Sequence, residues 1–452
     1  MSAYVDGPAT PAFRAVSLGN SRPVAAVLRD NDSKELINAI TAAPAGGCVF
    51  RGLPFAVDGV VRVGSDPVTL EFQPVTAKWI VFLHASDVAQ ISGDKTGIIS
   101  PMKGAGMLND PAGTYTIHFT DGSSQPISLA RRHQVSAYSH RWGENTVRSV
   151  PSAGPSAVPQ PHEQARKVGN QGWGMAQTRV SYQHYGPWTN QLYAWENPTP
   201  DIRIASIECQ ATTADLFIFG LSVGTVETNP LRWERRRKAL INLAAVLPSG
   251  EEFDPVIGEN GQLSQVAIDL GTIISAMPQR IYPADDWASG HNNRQPELSN
   301  TTIAIEYTAH PDARIFVGEH AVAVADLDDA TGSGDGGSVS ASDGSGKSVA
   351  IGIGPSHHRV RIRVVEKGST VPVPVKLHVH GAHGEYLAPV DRHRIPNHAW
   401  LRTTAPTSST CLPAVLPVPA GCHWVRTTAP ISGAKPSWMC RWARSTWKCP
   451  KG

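Results

Sequence analysis

The chain has 452 residues, of which 41% are hydrophobic and 17% charged, so it is long enough for two or three domains with apolar cores, and a disordered chain is excluded. Its 40 basic and 38 acidic residues give a formal net charge of +2, so no overall field favours nucleic acid or a membrane as a partner. The N-terminus lacks a basic start followed by an apolar run, and no apolar run reaches about 18 residues. We therefore expect a soluble chain without a secretion signal, cytoplasmic by default.

Short segments that alternate apolar and polar residues, bounded by Gly, Pro and Asp, predict an all-β fold. Residues 113–130 predict a hairpin whose two strands are joined at Asp121 and Gly122. The other clear strand segments of this part are residues 79–87, 201–210 and 216–223. Together they predict a two-sheet sandwich, which we place in a first domain over residues 1–228.

Aromatic side chains crowd the segment that ends at Glu196 and could form a flat platform for stacking on a sugar ring. The predicted ligand-binding residues are Tyr185, Trp188, Tyr193, Trp195 and Glu196. Asn190 and Gln191 lie among them and offer amide groups to sugar hydroxyls. The alternative is that these rings fill the sandwich or cover a sheet edge. The candidate partner of this segment is a glycan.

A second β domain is predicted over residues 229–330, because residues 265–271 and 301–310 alternate again. Residues 231–247 are predicted to form either a short helix or an exposed edge strand. Their basic run is most simply a solvated face and predicts no nucleic-acid site. This run consists of Arg235, Arg236, Arg237 and Lys238.

Residues 331–347 are predicted to be a flexible linker. Their Gly and Ser residues supply little apolar surface to offset the entropy lost on ordering. The aspartates of this segment suggest calcium, but the spacing of an EF-hand loop is absent.

A third, partial β-sandwich is predicted over residues 348–400. Its weak candidate metal ligands are His378, His380 and His383, since histidines two residues apart share one face of a strand. The alternative is a surface strand with solvent-facing histidines. We assign no metal site and no catalytic residue here.

The composition changes abruptly after Trp400. Residues 401–452 contain seven basic residues, no Asp or Glu, and four of the six cysteines. A disulfide module, a basic binding tail and an out-of-frame translation are the competing interpretations. Reading codons from their third base restores a period-two strand pattern over residues 436–449, which favours the out-of-frame interpretation and a disordered tail.

Residues 361–400 resemble a segment that precedes the catalytic domain in the CehA/McbA family of metallohydrolases, which carry a PHP-type phosphoesterase domain. In its restored frame, the tail read from residues 431–452 is similar to the strands that follow in that family. The resemblance implies a truncated carboxypeptidase-regulatory-like β-sandwich, with the family's metal ligands further on. Residues 78–208 are similar, more weakly, to galactose-binding-like jelly-roll domains.

The sequence is therefore interpreted as the non-catalytic N-terminal β-sandwich portion of such a hydrolase, without its catalytic domain. We expect no cofactor in this chain, and a divalent metal only in that domain. The alternative is a stand-alone carbohydrate-binding β-sandwich protein, and a third interpretation is an enzyme with an unrecognised active site. Neither nucleic acid nor a membrane is an expected partner.

Overall fold

The computed structural model describes residues 3–88, 108–139, 146–152, 186–234, 237–246, 266–281, 297–332, 337–343, 348–354 and 363–373. Strands dominate these residues, and the predicted all-β fold is confirmed. The finer assignments, a galactose-binding-like jelly roll and a regulatory-like sandwich, stay predictions. The described part contains no helix long and apolar enough to cross a membrane.

The first unit extends through residue 228. Its elements are β1 (Phe13–Val16), α1 (Val24–Val27), α2 (Lys34–Ile40), β2 (Gly46–Phe50), β3 (Leu53–Val57), β4 (Val61–Val63), β5 (Val68–Leu70), β6 (Trp79–Ser86), β7 (Pro111–Phe119), β8 (Ser124–Ala130), β9 (Ser149–Pro151), β10 (Gln191–Glu196), β11 (Ile204–Ala211) and β12 (Leu216–Gly224).

Two sheets of the first unit form a sandwich. One sheet has the order β1-β12-β6-β10-β9, with β4 also pairing β12, and the other has the order β5-β11-β7-β8. Apolar side chains from both sheets, among them Phe82, Tyr115 and Ile207, form one core between them. The predicted hairpin is present as β7 and β8, in which Tyr115 and Ile117 face this core.

The central strands β6 and β12 are buried over their whole length. One face of each contributes to the core of the sandwich, through Phe82 and Leu221 for example. The opposite face, with Val81 and Phe219, belongs to a second core. Burial on both faces explains why these strands have apolar runs where a half-exposed strand would alternate.

The second core is partly covered by helix α2 and the β2–β3 hairpin. The Ser33 hydroxyl caps α2 by accepting the N–H of Leu36 at 3.1 Å, and Leu36, Ala39 and Ile40 are buried along one stripe of the helix. The β3 strand lies over β12, because a Cβ at Gly220 would touch Phe55 at 3.5 Å.

The second unit is built on one sheet. Its elements are β13 (Arg237–Asn242), β14 (Val266–Ile268), β15 (Gly271–Ile281), β16 (Glu297–Ala309), β17 (Arg314–Val317), β18 (His320–Ala323), α3 (Val324–Gly332), β19 (Gly337–Ser342) and β20 (Ser348–Gly354). The strand order is β14-β17-β18-β19-β20-β13-β16-β15. Only Asp269 and Leu270 separate β14 from β15, the two ends of this order, and the sheet approaches a barrel.

Two local predictions are wrong in this unit. The segment predicted as a helix or an edge strand forms β13, which pairs β16 on one side and β20 on the other, so it is an interior strand. The predicted linker, residues 331–347, contains the end of α3 and strand β19, whose Val339 and Ala341 are buried. Residues 348–354, which the predicted boundary places in the third domain, form strand β20 and belong to the sheet of the second unit.

The two units meet at the tip of the β2–β3 hairpin. Arg51 and Gly52 form its two-residue turn with φ of 53° and 80°, as in a type I′ turn. The Asp6 carboxylate accepts the N–H of Arg51 at 2.7 Å and 2.9 Å and so stabilises this turn. A Cβ at Gly52 would lie 1.8 Å from the carbonyl oxygen of Asp269, so only glycine permits this approach.

Polar contacts and a continuous core join the units at the same place. Thr228 Oγ1, at the end of the first unit, lies 2.7 Å from Nε2 of the buried His310 in the second. The buried Asp269, which Gly52 approaches, is held within the second unit by accepting the N–H of Arg314 at 2.7 Å. The second core runs without interruption from Phe55 in the first unit to Ile305 in the second. The units are therefore packed as one body.

Candidate functional site

The structure separates the aromatic residues that the sequence groups in one sugar platform. The ring of Trp188 is 7% exposed, belongs to the second core and stacks on Tyr138 with 4.9 Å between ring centroids. Tyr193 is 6% exposed and lies in the core of the sandwich. These two rings are thus on opposite faces of the sheet and are not brought together.

The other predicted residues have separate environments. Trp195 is partly buried and packs beside the core that contains Tyr193, whereas Glu196 is exposed. Tyr185 lies outside the described residues, as do His378, His380 and His383. The sugar platform and the histidine site therefore stay predictions.

Polar side chains do gather at one end of the sandwich, where β6 ends, β10 begins and the segment after β8 pairs with Ser86 at the end of β6. We call this group the polar end. Its members are buried and comprise His84, Ser86, Tyr115, Arg131, Gln134, Thr189 and Gln191. Strand pairing explains the gathering, because β10 places Gln191 directly opposite His84 of β6.

His84 lies at the centre of the polar end. Its Nδ1 is 2.9 Å from the Tyr115 hydroxyl, and its Nε2 is 3.0 Å from the backbone carbonyl oxygen of Gln134. Because a carbonyl can only accept, we assign the ring proton to Nε2, and the Tyr115 hydroxyl then donates to Nδ1. Burial lowers the pKa of His84 to about 4, so the ring is neutral at pH 7.

Arg131 connects the polar end to the end of β6. Its guanidinium donates to the Ser86 hydroxyl at 2.8 Å, to the carbonyl oxygen of Asp87 at 3.3 Å and to the Thr213 hydroxyl at 3.2 Å. These contacts hold the guanidinium in a fixed orientation.

The first residues of β10 carry polar atoms that are buried and unpaired. Gln191 Oε1 accepts from the Thr146 hydroxyl at 3.4 Å, but Gln191 Nε2 has no hydrogen-bond partner, nor has Thr189 Oγ1, within the described part of the chain. Asn190 is on the other face, where its Oδ1 accepts the indole N–H of Trp188 at 2.9 Å and its Nδ2 has no partner among the same residues.

A second buried polar group, at the β4 end of the same sheet, is fully paired and charged. The Arg62 guanidinium binds both oxygens of Asp32 at 2.6 Å and 2.7 Å and donates through Nε to Asp215 at 2.6 Å. It also lies 5.4 Å from the centroid of the Phe217 ring. Hydrogen bonds from Arg62 lower the pKa of Asp32. We call Arg62, Asp32 and Asp215 the charged cluster and assign it a structural role.

Sequence reasoning missed most of the polar end. It named Gln191 only as an amide near the aromatic rings, and it did not single out His84 or Gln134. The signal present in the sequence was a polar residue inside an apolar strand segment, as His84 is within residues 79–87. Such a residue requires a partner if the strand is buried.

No metal-binding group of three His, Cys, Asp or Glu residues occurs in the described residues. None of the protein-family models matches the chain, and a search of curated proteins gives no significant match.

Proposed function

We propose that this chain is the non-catalytic N-terminal β portion of a CehA/McbA-like metal-dependent hydrolase, and that its joined β units position the catalytic domain. The observation that carries the proposal is the place of the resemblance: residues 361–400 follow a few residues after β20, which ends the sheet of the second unit at Gly354. A domain that follows residue 354 would therefore be attached close to a strand that is held in the sheet of the second unit.

The packing of the two units supports a positioning role. A hinge between them would require the second core to open and the close approach of Gly52 to Asp269 to be lost. Buried polar groups at the junction, Asp269 and His310, are used for contacts within this body. We therefore assign this chain the role of positioning the catalytic domain. The divalent metal would be bound in that domain.

The change of composition after Trp400 supplies the first test. We expect resequencing of the gene to find a missing or extra base near the codon for Trp400, since the tail regains a strand pattern in the shifted frame. A gene sequence with no missing or extra base at this position would contradict the out-of-frame interpretation of the tail. It would also remove the reason for expecting the catalytic domain to be encoded downstream in another frame.

Activity supplies the second test. The 452-residue chain, incubated with Mn²⁺ or Zn²⁺, should not hydrolyse a phosphoester or carbamate substrate. The chain extended downstream in the restored frame should hydrolyse one of them, and a chelator should abolish this activity. Chelator-sensitive hydrolysis by the 452-residue chain itself would contradict the proposal and favour an unrecognised active site. The alternative of a stand-alone carbohydrate-binding protein stays a prediction.

A further inference from the structure

Basic side chains from three parts of the chain meet where the segment after β8 contacts the segment before β9. We call them the basic cluster, which consists of Arg132, His133, Arg148 and Arg232. The carbonyl of Arg132 accepts the N–H of Val147 at 3.0 Å, and that of His133 accepts the N–H of Arg148 at 2.9 Å. The guanidinium of Arg232 donates to the carbonyl oxygen of Val147. These bonds make the four basic residues neighbours.

The basic cluster is open to solvent. Arg148 and Arg232 are exposed, and Arg132 and His133 are partly exposed. Val147, whose backbone connects them, is itself 53% exposed. A dissolved ligand can therefore reach the guanidinium groups without any change in the fold.

Arg132 occupies a backbone position that suits glycine better. Its φ is 59°, in the left-handed region that residues with a side chain rarely adopt. Arg51, the other arginine with a positive φ among the described residues, uses its side chain in the fold, since its Nε donates to the carbonyl oxygen of Pro151 at 3.1 Å. The Nε of Arg132 is buried and has no partner within the same residues. Packing therefore does not explain an arginine here, and a strained residue without a structural contact indicates a role in binding.

The positive charges of the basic cluster are not neutralised by carboxylates. Arg232 binds a backbone carbonyl, but no side chain of the cluster forms an ion pair within the described part of the chain. Glu234, two residues after Arg232, is bound by Arg237 instead. Asp110, whose carbonyl accepts the N–H of Arg131, is not bonded to the cluster either. Three neighbouring guanidinium groups without a counter-charge favour a bound anion.

We propose that the basic cluster binds the phosphate group of a phosphomonoester or of free inorganic phosphate. A guanidinium donates two parallel N–H bonds to phosphate oxygens, and several guanidinium groups around one spot match its several oxygens. Phosphate carries about −1.5 to −2 charges at pH 7, so it offsets more of the positive charge than one carboxylate does. The site would be present whether or not a catalytic domain follows.

The test is titration calorimetry on the full chain at an ionic strength of about 0.02 M, where exposed charges are little screened. The probes are inorganic phosphate, glycerol 3-phosphate and succinate. We expect both phosphate probes to bind and salt to weaken the binding. Arg148→Gln should weaken it at least about fivefold, since each variant removes one charged donor. Arg132→Gly should do the same without lowering the thermal midpoint, because glycine adopts a positive φ without strain.

Arg14→Gln is the matched control, because Arg14 is an exposed arginine on β1, and it should bind phosphate as the wild type does. Tighter binding of glycerol 3-phosphate than of inorganic phosphate would support a phosphomonoester ligand, and equal binding would support free phosphate. Three results would overturn the proposal. They are no binding of either phosphate probe, binding that neither Arg132→Gly nor Arg148→Gln weakens relative to Arg14→Gln, and succinate binding as tight as that of phosphate.

Discussion

Arg62 is the central residue of the charged cluster, and the stability of the β4 end of the sandwich depends on its ion pairs. Its side chain is 7% exposed and that of Asp32 is 4% exposed, so the ion pair is largely shielded from water. A buried pair of this kind adds little net stability compared with apolar residues, but losing one partner leaves an uncompensated charge. Asp215 keeps a second partner, Arg29 at 2.9 Å, when Arg62 is lost, so the charge left without a guanidinium is that of Asp32.

We expect Arg62→Met to lower the free energy of unfolding by about 3–5 kcal/mol at pH 7, measured by urea denaturation. Arg14→Met, at an exposed position of β1, is the control and should change it by less than about 0.5 kcal/mol. Because the pKa of Asp32 is lowered in the folded state, the stability that this pairing contributes is present above the unfolded pKa, about 4, and is lost as the pH falls below it. Equal effects of the two variants at pH 7 would contradict the structural role of the charged cluster.

The site at the residue scale was only partly predictable from the sequence. Asn190 and Gln191 could be named as candidate ligands because their type and neighbours are visible in the chain. That Gln191 lies opposite His84, with an unpaired nitrogen, depends on pairing between β6 and β10, which are about a hundred residues apart. No local pattern encodes that pairing.

At the scale of elements, β19 shows where local sequence and tertiary structure disagree. Its segment is rich in Gly and Ser, which predicts a linker, yet Val339 and Ala341 alternate with exposed residues and are buried. Partners on both sides, β18 and β20, supply the order that the composition does not. The β7–β8 hairpin was predictable, in contrast, because its alternation and its Asp121-Gly122 turn are adjacent in the chain.

The assignment of residues 337–342 to strand β19 can be tested by placing an aspartate at each of two neighbouring positions, one buried and one exposed. Ala341→Asp should lower the free energy of unfolding by about 3 kcal/mol or more, because it buries a carboxylate without a partner. Ser340→Asp, whose side chain is exposed, should change it by less than about 0.5 kcal/mol. If the segment were a linker, the two variants would unfold alike in urea.

At the scale of the whole molecule, the tip of the β2–β3 hairpin joins the two units through close backbone packing. Gly52 combines a φ of 80° with a distance that leaves no room for a Cβ against Asp269. The predicted boundary between domains near residue 228 marks a change of sheet, but the core continues across it. Sequence could place the strands of each unit and could not show this joint, since the hairpin and the β14–β15 turn are far apart in the chain.

We expect Gly52→Ala to lower the thermal midpoint and to separate the unfolding of the two units into two calorimetric transitions. Gly46→Ala is a matched control from the same hairpin, because Gly46 has a φ of 81° but nothing within 4 Å of an added Cβ. The control should show only the cost of backbone strain, about 1–3 kcal/mol, in a single transition. Indistinguishable thermograms for the two variants would show that the contact with Asp269 does not join the units.

Because one core spans both units, the protein cannot be divided for study at the position where its sheets change. A fragment that stops near residue 228 would present to water the apolar surface that Ile305 and its neighbours now cover, and would lack His310 beside Thr228. Such a fragment would self-associate, and its failure to bind sugars would reflect aggregation. Subcloning should therefore retain the chain at least as far as Gly354, the last residue of the sheet.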